Sequence, residues 1–162
     1  MLKEGDIAPE FYLEGIDEEG REGRFCLKDL LSSPLILYFY PKDDTPGCTQ
    51  EACDFRDNLS LLETKGYRVV GVSPDGLQSH KKFKEKYGLS FILLSDESKE
   101  VAKAYGAYGK KKMYGKETEG IIRSTFIISK NGNILKALYN VKVKGHVESL
   151  LRGLDSIPIK EL

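Results

Sequence analysis

Apolar positions follow two rhythms along this chain. "LILYFY" (35–40) is an unbroken apolar run, as expected of a strand covered on both faces. "YRVVGVS" (67–73) and "SFILLSD" (90–96) read as further strands. Between the first two the spacing becomes helical. Ala52, Phe55, Leu59 and Leu62 form a stripe that predicts a helix from about Pro46 to Lys65. Thr45 suits its N-cap, Pro46 its first position and Gly66 its stop. Helices are also predicted over 76–88, 97–106 and 145–154. Two short apolar ends around a charged middle make 10–27 a hairpin. "KNGN" between 121–129 and 134–140 signals another. The stretch 108–120 holds four lysines and reads as a solvated surface loop, a candidate docking surface for an acidic reductant.

Strands alternating with helices imply an α/β fold with a parallel core and right-handed crossovers. The late hairpin adds antiparallel edges, so a mixed sheet is expected. In such sheets function lies beyond the carboxyl ends of the strands. The segment "PKDDTPGCTQEAC" (41–53) falls there, after the first core strand.

The length of 162 residues suits one domain, 1–162, able to bury a core without disulfides. Lys+Arg and Asp+Glu both number 25, which removes the electrostatic footprint of a nucleic-acid binder. No apolar run approaches the ~20 residues of a membrane span, and the first residues carry no apolar signal core. A cytoplasmic protein is expected, with no nucleic-acid or membrane partner.

Three cysteines, Cys26, Cys48 and Cys53, argue against a disulfide framework. Cys48 is placed in the first turn of the predicted helix, where unpaired N–H groups and the helix dipole favour a thiolate. The N-cap geometry would bring the Thr45 hydroxyl close to the Cys48 backbone N–H. A reactive thiol and a buried core cysteine are the two readings, and the polar, turn-forming flank favours the first. Cys53 is harder. In an α-helix, residues five apart have Cα atoms ~8.7 Å apart, beyond the ~7 Å limit of a disulfide. Either the two never bond, or the first turns unwind when they do. Zinc is the rival use of paired cysteines, but His80 and His146 are scattered and read as solvated or capping residues. No metal or other cofactor is expected.

"YFYPKDDTPGCTQEAC" resembles the active site of the peroxiredoxins, in particular the Q-type or bacterioferritin-comigratory subfamily. "GDIAPEFYL", "GVSPD" with "SHKKFKEKYGLSFILLSD", and "IIRSTFIISKNGNI" extend the likeness over most of the chain. The resemblance implies a thioredoxin-like fold with an N-terminal hairpin extension and thiol-dependent reduction of hydrogen peroxide and organic hydroperoxides. It implies that Cys48 is the peroxidatic cysteine, that Thr45 hydrogen-bonds thiolate and peroxide, and that Pro41 shields the pocket. It further implies that Arg123 contacts thiolate and peroxide, that Glu51 orients an arginine, and that Cys53 resolves a Cys48 sulfenic acid as a Cys48–Cys53 disulfide. A thioredoxin-like dithiol would then reduce that bond. The subfamily leans towards monomers. Cys26 has no counterpart in the family pattern and reads as a buried bystander.

Two other functions fit the same fold. A disulfide oxidoreductase is disfavoured by the C-x₄-C spacing and by Pro41, Thr45 and Arg123. A non-enzymatic binding module would leave Cys48 unreactive towards peroxide.

Overall fold

The computed structural model describes residues 1–162, the Met113 side chain excepted. β3 (Leu35–Phe39), β4 (Arg68–Ser73) and β5 (Ile92–Ser95) are parallel neighbours. β8 (Ser124–Ile128) and β9 (Ile134–Leu138) continue the sheet antiparallel beyond β3. The N-terminal hairpin, β1 (Tyr12–Ile16) and β2 (Glu22–Cys26), continues it beyond β5. The order is β2-β1-β5-β4-β3-β8-β9, the mixed sheet with hairpin extension that the patterns predict.

Five helices cover the two faces: α1 (Leu27–Leu30), α2 (Pro46–Thr64), α3 (Leu77–Tyr87), α4 (Glu100–Ala104) and α5 (His146–Leu154). β3 shows why both are needed. Its residues alternate, so Leu35, Leu37 and Phe39 pack with α1 and α4, while Ile36 and Tyr38 pack with α2, α3 and α5. All five residues are buried. α2 rests on the sheet through Ala52, Phe55, Leu59 and Leu62, the stripe read from the sequence. Full burial of Phe55 or Leu62 supplies roughly 1.5–3 kcal/mol each. α2 stops where Gly66 takes a φ of 95°.

Three readings need correction. Residues 108–120 are not a loop. They form a two-stranded sheet of β6 (Tyr108–Met113) and β7 (Lys116–Ile121). Its register sets Lys110 opposite Glu119 and Lys112 opposite Glu117, so the charges that look like a solvated run alternate in sign across the ladder. Tyr114 and Gly115, both at positive φ, make the two-residue turn. Arg123 is not inside a strand either. It sits in the short link between β7 and β8, and that break lets it leave the sheet plane. Cys26, taken for a buried bystander, is half-buried at the end of β2.

Tyr38 pairs with Gly71 across β3 and β4. A Cβ on Gly71 would lie 2.9 Å from Tyr38 Cζ and 3.0 Å from its Oη. The ring is fully buried and has nowhere to move. Gly71→Ala is therefore expected to cost about 1–3 kcal/mol of unfolding free energy, read by urea denaturation; an unchanged midpoint would show that the phenol can shift.

Candidate active site

The chain leaves β3 at Phe39, crosses residues 40–45 and enters α2 at Pro46. Thr45 is the N-cap, with extended φ and ψ of −94° and 156°. Its carbonyl accepts the first helical hydrogen bond, from Thr49 N at 2.8 Å. Its hydroxyl does not cap the helix. Thr45 Oγ1 donates to Lys42 O at 2.9 Å, so the expected approach to the Cys48 N–H is not made. The loop closes on itself instead, and the first turn of α2 has neither a side-chain cap nor an acidic residue. Its N–H groups and dipole end stay available to an anion.

Cys48 lies in this turn and is 2 % exposed. Arg123 reaches it from the β7–β8 link, with Nη2 3.4 Å from Sγ. Gly47 makes the approach possible, since a Cβ there would stand 3.3 Å from the same Nη2. Through Nη1, Arg123 also donates to Glu51 Oε1 at 2.6 Å. Glu51 sits one helical turn after Cys48, on the same face of α2. One guanidinium thus spans a thiol and a carboxyl projecting from a single helix.

Glu51 is wholly buried. Burial pushes its carboxyl up to about 7, against the pull of Arg123. The reason is visible in its second oxygen, Oε2, which is buried with no hydrogen-bond partner. Burial works against the Arg123 charge as well, but Glu51 and Cys48 outweigh it and hold the guanidinium protonated. Tyr38 Oη is likewise buried without a partner, and burial, then Glu51 and Cys48, raise its phenol well above the usual range. Tyr38 therefore stays neutral beneath the site.

Pro41 opens the loop and is half-buried. Cys53 does not join Cys48. It is half-buried on another flank of α2, in a groove lined by Asp44, Pro46, Thr49, Gln50 and Tyr87. All three cysteines are free thiols. No cluster of metal-ligating residues occurs among the described residues, and no helix there is long and apolar enough to cross a membrane.

The two histidines depart most from the sequence reading, which took them as solvated or capping. His146 is buried, contacts Thr125 Oγ1 at 2.9 Å, and is pushed down to about 4 by burial with help from Arg123. His80 is fully buried between Asp43 and Leu94 O. The lysines of α3 hid this; only His80's spacing of three residues from the core Phe83 marks the inner face. A further cation also escaped notice. Lys111 of β6 donates to Ile121 O at 2.9 Å and is half-buried. Burial lowers its amine's affinity for a proton, Arg123 acts in the same direction, and Cys48 opposes them.

The pH dependence of stability follows from Glu51. Its carboxyl sits near 7 when folded, against 4.5 as the reference value, so the native state holds a proton that the unfolded chain releases. This contribution is greatest below the unfolded value and is lost as pH rises through the folded one, on the order of 3 kcal/mol across the window. Glu51→Gln should lack that slope, so the variant should gain on wild type in urea denaturation between about pH 5 and about pH 8. A difference that does not change with pH would place Glu51 in the ordinary carboxylate range.

Residues 5–137 match the AhpC/TSA family. A bcp protein of Helicobacter pylori is 54% identical over 153 residues, covering 94% of this chain and 98% of the relative. Peroxiredoxin Bcp of Bacillus subtilis is 44% identical, over 96% of this chain and 97% of its own. The solved bacterioferritin comigratory protein of Xanthomonas campestris, described for its alkyl peroxide reduction activity, superposes with a TM-score of 0.79 at 38% identity, over 89% of this chain and 90% of its own. These likenesses run through the loop, the helix and the link that build the site, and the chain belongs to the AhpC/TSA family as a peroxiredoxin of the Bcp or Q type, a thiol peroxidase.

Proposed function

We propose that Cys48 is the peroxidatic thiol of this enzyme and that its substrates are hydrogen peroxide and organic hydroperoxides. The observation that carries the reading is the Arg123 bridge, with Nη2 on Cys48 Sγ and Nη1 on buried Glu51. The Cys48 thiolate attacks one peroxide oxygen, and an S–O bond forms as the O–O bond breaks. The second oxygen leaves as hydroxide or alkoxide and takes up a proton. Negative charge moves from sulfur to that oxygen, and Arg123 with the first-turn N–H groups of α2 is placed to receive it. Glu51 positions the guanidinium. Pro41 and Thr45 shape the mouth of the pocket, and the Thr45 hydroxyl turns from Lys42 O to the peroxide when one binds.

The product is a Cys48 sulfenic acid. Cys53 attacks its sulfur, an S–S bond forms, and the sulfenic oxygen leaves as water. The two thiols share one helix but face different flanks, so this step requires the first turns of α2 to unwind. A thioredoxin-like dithiol then reduces the disulfide. Both cysteines lie on one chain, so a monomer acting as a single domain over 1–162 suffices, in a reducing cytoplasm.

One equivalent of hydrogen peroxide added to reduced protein should remove two thiols, with a Cys48–Cys53 link mapped by mass and Cys26 untouched. Three surviving thiols would sink the Cys48 assignment, and a link to Cys26 would replace the resolving cysteine. Arg123→Met should slow Cys48 oxidation by about 10²–10³, the usual effect of losing one transition-state donor, measured by stopped flow under pseudo-first-order peroxide.

A further inference from the structure

His80 poses a proton-counting problem. Its Nε2 lies 2.8 Å from Leu94 O, and its Nδ1 lies 2.6 Å from Asp43 Oδ2. A carbonyl only accepts, so Nε2 carries a hydrogen. A neutral ring with that hydrogen has a bare Nδ1, which would face a carboxylate lone pair to lone pair. One more proton must therefore lie in the Nδ1–Oδ2 contact. Both side chains are almost completely shielded, at 0% and 3% exposure, so water cannot substitute for it.

Asp43 is also the best-anchored residue of the loop between β3 and α2. Its carboxylate accepts from Tyr40 Oη at 2.6 Å and Ser79 Oγ at 2.8 Å, while its backbone N–H donates to Asp75 Oδ2 at 2.6 Å. The end of β3 and α3 meet on this one side chain, and β5 joins them through the Leu94 carbonyl on His80. The next residue is held differently. Asp44 has a φ of 58° and reaches α3 only at the surface, through Tyr87 Oη at 2.6 Å and Lys86 Nζ at 2.8 Å. Within the loop, firm, buried anchorage ends at Asp43 and resumes only inside α2, at Cys48. Pro41 lies two residues before it and Thr45 two after.

We propose that Asp43 and His80 are positioning residues of the peroxide pocket: their shared-proton contact fixes the loop that carries Pro41 and Thr45, and Asp43 is the fixed end of the segment that unwinds when Cys48 moves to Cys53. The inference rests on the peroxidatic reading of Cys48. The pair touches neither thiol nor peroxide. It acts by holding the pocket in register, and a misplacement of about 1 Å in such a pocket can cost roughly 10²-fold in rate. Resolution has the opposite requirement, since it needs the segment after Asp43 to let go.

Stopped flow separates the two steps, the second-order oxidation of Cys48 by hydrogen peroxide and the first-order formation of the disulfide. Asp43→Ala and His80→Ala should slow oxidation roughly ten- to hundredfold and leave disulfide formation as fast as in wild type or faster. Asp43→Asn should recover most of that loss, because its amide can donate to a bare Nδ1 and still accept from Tyr40. Alanine variants that oxidise at the wild-type rate would overturn the inference. So would two rates that fall by the same factor with asparagine no better than alanine, the mark of general unfolding. Where the alanine variants do not fold, NMR of the unmodified protein decides: a strongly downfield, slowly exchanging proton in the His80 Nδ1–Asp43 Oδ2 contact supports it whichever atom carries it, and no proton there overturns it. Wild-type Cys48 that stays reduced in peroxide would remove the peroxidatic assignment along with the inference, whereas normal wild-type oxidation with no loss in the alanine variants defeats the inference alone.

Discussion

The site depends on a buried carboxyl meeting one arginine. Glu51 has no access to water, and an isolated carboxylate there would be strongly disfavoured. Arg123 is its compensating charge, and the same guanidinium then has a second nitrogen to spend on Cys48. The carboxyl fixes the arginine, and the arginine faces the sulfur. Everything around serves that contact. The break between β7 and β8 frees Arg123 from the sheet, Gly47 clears its path, and the aromatic floor of Tyr38 and Phe55, stacked 4.6 Å apart, excludes solvent below. Such a buried bridge contributes little net stability once desolvation is counted; what it supplies is placement.

α2 carries two demands that conflict. In the proposed cycle Cys48 needs its turn intact, because the N–H groups and Arg123 converge only on the helical geometry. A bond to Cys53 would need that turn undone. The surrounding contacts divide accordingly. Upstream, Asp43 is enclosed by Tyr40, Ser79, His80 and Asp75. Downstream, Phe55 and Leu62 hold the body of the helix to the sheet. Between them, Asp44 is tied only at the surface, and the Thr45 hydroxyl bonds only within its own loop. Loose and tight contacts along one helix give a segment able to open while the domain stays folded.

Much of this was legible in the chain. The unbroken run at Leu35–Tyr40 announced a doubly covered strand, and Thr45, Pro46 and Gly66 bracketed α2 nearly to the residue. The place of Cys48 in the first turn of α2 was also readable from position alone. What sequence could not show depended on distant pairing. The lysine-rich stretch 108–120 looked like a loop because Glu119 and Glu117, the partners of Lys110 and Lys112, become their neighbours only in the folded ladder. His80 looked exposed because Asp43, which buries its polarity, lies 37 residues away. Thr45 has the side chain of an N-cap, yet the carbonyl of Lys42 competes for its hydroxyl and takes it. Local propensity identifies what a residue can bond to, and tertiary structure decides which partner is nearest.

Two thiols on one helix have a kinetic consequence. In the proposed cycle the encounter of Cys53 with an oxidised Cys48 is intramolecular, so its frequency is set by the chain and not by the amount of protein. Over-oxidation of the sulfenic acid is different, because it needs a second peroxide and accelerates with dose. The opening rate of a few residues after Asp43 therefore defines a threshold. Below it the proposed disulfide would form first and the enzyme recycle; above it peroxide would outrun the helix and the sulfur would be lost to higher oxides. In that cycle the contacts that hold residues 44–48, through the opening rate they allow, set the exposure the enzyme survives.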